Sequence, residues 1–228
     1  YHEGADLEMV TRAYEFSARC HSGQTRKSGE PYVIHPLAVA DIIADMRLDV
    51  PTIVTGLLHD TVEDTLATLE EIDGGFGAEV SQLVDGVTKI SLLEAESPEA
   101  AEAQTIRKMI LASARDIRVL LVKLADRAHN MRTIEHLRAE RQQAIAQQTL
   151  DLYAPLAHRL GIYWLKAEFE DLSFRVLHPT EYQEISDNLA LRRLQRESYI
   201  AEVATIMAKR LRESGIEATV TGRSKSAY

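Results

Sequence analysis

The run His59-Asp60-Thr61-Val62-Glu63-Asp64 places one imidazole and three carboxylates at the end of an apolar stretch, residues 53–58. Charges that leave a core helix must be paired or must hold a metal, because burying them unpaired is costly. Asp126 lies far along the chain, in Lys123-Leu124-Ala125-Asp126-Arg127-Ala128-His129-Asn130, and it too follows an apolar run. His35 stands where a polar loop enters a helix. Two histidines and two aspartates form a mixed nitrogen and oxygen set with no thiolate. Such a set suits Mn²⁺, Fe²⁺ or Zn²⁺ rather than a structural zinc site. The general affinity order favours zinc, so residue type and spacing do not choose among the three.

Glu63 and Asp64 follow His59 and Asp60 by four residues each. On a helix that puts each pair on one face, one turn apart. Carboxylates so placed can orient a water at the ion or take its proton. A divalent ion lowers the pKa of that water, by about two units below the aqueous ion in the best zinc case. A positioned base adds about 10²- to 10⁴-fold. Each residue taken singly has a plainer reading. A lone His-Asp pair at a helix end is more often a cap or ion pair. Glu63 and Asp64 alone are solvated surface, and His129 alone supports a core or a ligand rather than being one. The joint occurrence of His35, His59, Asp60 and Asp126 is what points to a metal.

The elements that must position these groups are helices. Apolar periodicity predicts helices over 7–19, from Pro36, from Pro51 into the opening motif, over 78–90 and over 116–132. Thr68 and Glu71 fit a capping box. Residues 21–32 read as a polar loop punctuated by Gly23, Gly29 and Pro31. Residues 92–103 are acidic, weakly patterned and read as a mobile surface segment, with helix resuming near Ile106. Helices follow over 138–160 and 163–177, then a pair or one long helix over 179–214. The run 215–222 alternates like a β-strand after a glycine break. The expected fold class is therefore all-α, with a short C-terminal strand opening a second, mixed domain that the chain does not contain.

Composition bounds the function. The chain has 228 residues, 45% of them hydrophobic, and 26 basic against 35 acidic residues give a net charge of −9. That balance argues against general nucleic-acid binding, which needs a positive face. It leaves room for a phosphorylated small molecule beside a metal and a few local cations. The single cysteine, Cys20, cannot form an internal disulfide and suits a reducing, cytoplasmic compartment. No apolar run reaches the roughly 18 residues that a membrane span needs.

At these motifs the chain resembles the HD-domain metal-dependent phosphohydrolases. More narrowly, it resembles the N-terminal hydrolase domain of the RelA/SpoT family, bifunctional enzymes that make and degrade (p)ppGpp. The resemblance runs from His21-Ser22-Gly23-Gln24-Thr25-Arg26-Lys27-Ser28-Gly29-Glu30-Pro31-Tyr32 through His35-Pro36 and the opening motif. It continues in Gly86-Val87-Thr88-Lys89-Ile90, in the run from Lys123 to Thr133, and in Tyr153-Ala154-Pro155-Leu156-Ala157-His158-Arg159. The closing Gly222-Arg223-Ser224-Lys225-Ser226-Ala227-Tyr228 is similar to the opening of the family's synthetase domain.

The resemblance implies an HD hydrolase domain over 1–137, a central helical linker bundle over 138–214 and a truncated synthetase start over 215–228. It implies Mn²⁺-dependent hydrolysis of the 3′-pyrophosphate of (p)ppGpp, with His35, His59, Asp60 and Asp126 as metal ligands. Glu63 and Asp64 match the residues that handle the attacking water. Arg26, Lys27 and Ser28 match the nucleotide loop, with the arginine against guanine, and Asn130 and Thr133 match nucleotide contacts. Asp126, Asn130 and Thr133 stand at i, i+4 and i+7, so one helix face can carry all three. The implied partners are the nucleotide and the protein's own synthetase and regulatory domains. Ala128 departs from the family pattern, which favours a larger aliphatic residue there. Synthetase-only relatives have degraded hydrolase motifs, whereas this chain keeps all four candidate ligands and both acids. Two alternatives remain: an HD phosphohydrolase for another nucleotide, and a nucleotide-binding module that regulates an adjacent synthetase.

Overall fold

In the computed structural model, which describes residues 6–95, 116–215 and 218–220, regular structure is helical throughout. Helix α1 (Leu7–Cys20) starts at Asp6, whose carboxylate accepts from the Met9 amide at 2.9 Å. Helix α2 (Ile34–Asp45) carries Pro36 as its third residue rather than its first. A proline anywhere in the first turn removes only an amide that has no partner in the helix. Helix α3 (Val50–Leu58) is capped by Asp49, which accepts from Thr52, and has Pro51 in its first turn. Helix α4 is the single turn Thr61–Asp64.

The capping box at Thr68 and Glu71 is present at the start of α5 (Leu69–Phe76). Gly77 ends that helix at φ +89°, a conformation that favours glycine. Helix α6 spans Ala78–Ala95 and α7 spans Arg118–Arg132. Helix α6 runs on past the expected end at Ile90 and takes in 92–95, the start of the acidic segment expected to be mobile, while the rest of that segment and the helix expected from Ile106 lie outside the described residues.

The helical stretch expected over 138–160 is present in three parts: α8 (Ala139–Gln148), a π turn (Thr149–Tyr153) and α9 (Ala154–Arg159). Pro155 accounts for the change of pitch. It has no amide to donate, and its ring would crowd the Asp151 carbonyl four residues back in a regular α-helix. Helix α10 (Tyr163–Leu177) follows. The last stretch is one helix, α11 (Pro179–Glu213), rather than a pair.

Among the described residues there is no strand, and the one β-bridge pairs Thr25 with Pro31 inside the 21–32 loop. Of the strand expected at 215–222, residues 218–220 carry no regular structure, and most of the rest lies outside the described residues. The chain divides into two compact units after Leu177. Helices α1 to α10 share the first, and α11 belongs to the second.

The core of the first unit explains how the site is held. Helices α2, α3 and α7 pack against one another, and α6 packs on α3 and α7. Val39, Ile42, Ile43, Leu58, Val119, Leu120, Val122 and Leu124 are buried between them. Two glycines set the spacing. A Cβ on Gly56 would lie 2.6 Å from Ile43 Cδ1 and 3.3 Å from the Ala40 Cα, so α2 and α3 approach closely only without a side chain there. A Cβ on Gly86 would lie 2.7 Å from Val119 Cγ2, which fixes α6 against α7 in the same way. Ala128 is fully buried, so a larger residue at that position would need a different packing around α7.

Candidate metal centre

Three helices deliver four side chains to one point. His35 is the second residue of α2, His59 caps the C-terminus of α3 with Asp60 beside it, and Asp126 lies in the middle of α7. His35 Nε2 lies 3.3 Å from Asp126 Oδ1 and 3.4 Å from Asp60 Oδ2. His59 Nε2 lies 3.0 Å from Asp60 Oδ1 and 3.9 Å from Asp126 Oδ1. His35, His59 and Asp126 each offer a ligand atom within 4.8 Å of the others, and all three are buried. Asp60 closes the set from the side of α3.

The donor set fits a divalent cation. His59 Nδ1 donates to the Gly56 carbonyl at 2.8 Å, so in the neutral ring the lone pair is on Nε2. That Nε2 is buried, faces Asp60 Oδ1 at 3.0 Å and makes no well-aligned hydrogen bond there, so a cation between the two would satisfy both. Two imidazole nitrogens and two carboxylates facing one another, with no thiolate, make the nitrogen and oxygen set that such ions take.

The electrostatics are those of a tight charge cluster. Burial alone would raise the Asp126 carboxyl, but the Lys123 ammonium at 3.0 Å and the His35 and His59 rings hold it well below the usual range. Burial likewise opposes ionisation of Asp60, and His59 above all, then His35, keeps it low. Burial also works against a charged His59, yet the Asp60 carboxylate and then Asp126 push its pKa up to about 9. His129 moves the other way. Burial, then the His35 and Arg26 charges, push it down to about 4.

The remaining residues of interest surround this centre. Asn130 Nδ2 donates to Asp126 Oδ1 at 2.6 Å, one turn along α7. The Thr133 hydroxyl returns to the His129 carbonyl of its own helix at 3.1 Å. Arg26 lies against α7, with Nη2 donating to Asn130 Oδ1 at 2.9 Å and Nη1 3.0 Å from His129 Nδ1. Lys27 is exposed, and the Ser28 hydroxyl donates to Glu30 at 3.1 Å. Glu63 and Asp64 are exposed on α4, along a cleft that Phe16, Cys20, Gln24 and Leu66 also line.

Two residues tie Asp64 to the centre and were not singled out by spacing. Tyr32 Oη lies 2.9 Å from Asp60 Oδ2 and 2.7 Å from Asp64 Oδ2, so one hydroxyl bridges a candidate ligand and a candidate water-handling acid. Burial, then the two carboxylates, raise its pKa far above the ordinary phenol value. Its ring stacks on His21 with centroids 4.5 Å apart. Gln24 holds His21 Nδ1 at 2.9 Å and donates to the Asp64 carbonyl at 3.1 Å. The loop position of Tyr32, three residues before His35 with no periodicity around it, gave no pattern from which to find it.

A family model described as the HD domain matches residues 13–163, most of the chain and every candidate ligand. The chain belongs to the HD-domain family. Along its full length it is similar to RelA/SpoT proteins. It is 54% identical to the GTP pyrophosphokinase of Myxococcus xanthus over 231 aligned residues, covering 100% of this chain and 30% of that protein. It is 45% identical to the bifunctional (p)ppGpp synthase/hydrolase SpoT of Escherichia coli K12, covering 97% of this chain and 32% of that protein. The chain thus spans about a third of the curated relatives it matches. A solved structure described as a metazoan ortholog of SpoT that hydrolyzes ppGpp superposes with a TM-score of 0.51 at 25% identity. It covers 77% of this chain and 96% of that one. The all-helical fold matches the HD assignment. Among the described residues, no helix is long and apolar enough to cross a membrane.

Proposed function

We propose that this HD domain hydrolyses the 3′-pyrophosphate of (p)ppGpp, giving GDP or GTP and pyrophosphate, with Mn²⁺ held by His35, His59, Asp60 and Asp126. The observation that carries the reading is the convergence of two buried imidazole Nε2 atoms on the carboxylates of Asp60 and Asp126. The relatives described as ppGpp hydrolases support the substrate.

A divalent cation at this point would polarise a phosphoryl oxygen and lower the pKa of a nearby water. The chain's own groups supply the rest. In the overall step, a water oxygen bonds to the phosphorus next to the ribose, the bond from that phosphorus to O3′ breaks, and O3′ takes a proton as pyrophosphate leaves. Glu63 and Asp64 orient the water and accept its proton, with Tyr32 fixing Asp64 relative to Asp60. Lys123 and Asn130 hold the Asp126 carboxylate in one rotamer. Arg26 offers a planar cation to the guanine face. Its bonds to His129 and Asn130 must open for that. Lys27 and Ser28 follow it in the same loop, and Thr133 lies one turn beyond His129, where nucleotide contacts are expected.

Residues 138–214 connect this domain to a synthetase that begins, on this reading, near Gly215. Pyrophosphate release from ppGpp by the protein loaded with Mn²⁺ tests the function. Turnover is expected with ppGpp and not with ATP. Equal turnover of guanine and adenine nucleotides would move the assignment to a general nucleotide phosphohydrolase, and tight ppGpp binding without turnover would move it to a regulatory module.

A further inference from the structure

Behind His35 runs a line of contacts that joins the nucleotide loop to the metal centre through His129. The Arg26 guanidinium places Nη1 at 3.0 Å from His129 Nδ1 and Nη2 on Asn130 Oδ1. The same His129 nitrogen lies 2.8 Å from His35 Nδ1. A guanidinium has five N–H donors and no acceptor. His129 Nδ1 is therefore the bare nitrogen of a neutral ring, and the ring proton is on Nε2. His35 Nδ1 can meet a bare nitrogen only as a donor. In the neutral ring that a cation would bind, the proton on Nδ1 leaves the lone pair on Nε2, which lies 3.4 Å from Asp60 and 3.3 Å from Asp126. His59 reaches the same tautomer by a plainer route, since its Nδ1 donates to the Gly56 carbonyl. One candidate ligand is thus fixed by a backbone oxygen, which has no alternative state. The other is fixed by a histidine whose own proton is assigned by an arginine.

We propose, resting on the assignment of His35 as a ligand, that His129 is a positioning residue for the metal centre and that Arg26 sets which of its nitrogens does the positioning. His129 Nδ1 has one in-plane lone pair and two donors aimed at it. While Arg26 is docked, His35 shares that acceptor. When Arg26 turns to a nucleotide, His35 has it alone. Nucleotide binding at the 21–32 loop and cation binding at His35 are therefore coupled, and the coupling acts equally in both directions. Arg26 also touches Asn130, which holds Asp126, so one side chain reaches the supports of two candidate ligands.

Two measurements test this. In the cation-free wild-type protein, long-range ¹⁵N–¹H correlations show which ring nitrogen of His129 is protonated. A bare Nδ1 with the proton on Nε2 is expected, and a proton on Nδ1 overturns the proposal. Calorimetric Mn²⁺ affinity gives the second readout. His129→Phe, which has no acceptor, is expected to bind about 10–100-fold more weakly. His129→Gln, whose amide oxygen can accept from His35, is expected to recover most of that loss. A Phe variant with wild-type affinity, or a folded Gln variant as weak as the Phe variant, overturns the proposal. Wild-type protein that binds no Mn²⁺ overturns the ligand assignment itself and the proposal with it, so the two failures are told apart.

Discussion

Asp126 serves several partners with two oxygens. Oδ2 accepts from Lys123, while Oδ1 accepts from Asn130 and faces both His35 and His59. A carboxylate held this way has little freedom to rotate, which is what a ligand in a preformed site needs. Tyr32 does the corresponding work on the other side. Its hydroxyl has one proton for the two carboxylates of Asp60 and Asp64, so it can donate to only one at a time. Glu63 is exposed on α4. Glu63→Gln keeps shape and removes the base. It is expected to lower ppGpp turnover by about 10²- to 10⁴-fold while leaving Mn²⁺ affinity within a few-fold, read by calorimetry beside the kinetics. An equal loss of affinity would place Glu63 among the ligands instead.

At the scale of the elements, α3 and α7 must hold His59 and Asp126 in register, and their N-termini share a clamp. Arg118, on the first turn of α7, reaches Asp49, the N-cap of α3, at 2.6 Å, Glu79 on α6 at 2.8 Å and Asp116 at 2.6 Å. Hydrogen bonds from Arg118 are the leading cause that holds Asp116 below the usual carboxyl range. At Asp49 burial works the other way, and Thr52 with Arg118 outweighs it. Both folded values lie below the unfolded ones. Their contribution to stability is thus present above about pH 4 and is lost as pH falls through the folded values. These groups are partly exposed, so solvent screening keeps the contribution modest. Arg118→Met is expected to lower the unfolding midpoint clearly at pH 7 and much less at pH 3. A loss of the same size at both would mean that Arg118 acts through packing. The sequence made much of this level legible. The capping box at Thr68 and the exact span of α10 followed from local pattern. The clamp did not, because Arg118 and Asp49 are 69 positions apart and nothing local marks their meeting.

For the molecule as a whole, the all-α class and the four candidate ligands were readable because periodicity and residue chemistry are local. What brings His35, His59, Asp60 and Asp126 to one point is not local. It is the packing of α2, α3 and α7 against one another, in which α2 and α3 approach closely because Gly56 has no side chain against Ala40 and Ile43. The tautomers of His35 and His129 were equally out of reach, since they follow from an arginine more than a hundred positions from the residues it touches. The proposed chemistry requires a divalent cation bound between α2, α3 and α7. Diffraction recorded at the manganese absorption edge, from crystals grown with Mn²⁺, tests that claim most directly. The expected result is one strong anomalous peak roughly 2 Å from His35 Nε2, His59 Nε2 and an oxygen of each of Asp60 and Asp126. No peak there, or a peak at Glu63 and Asp64 with the four residues unligated, would contradict it.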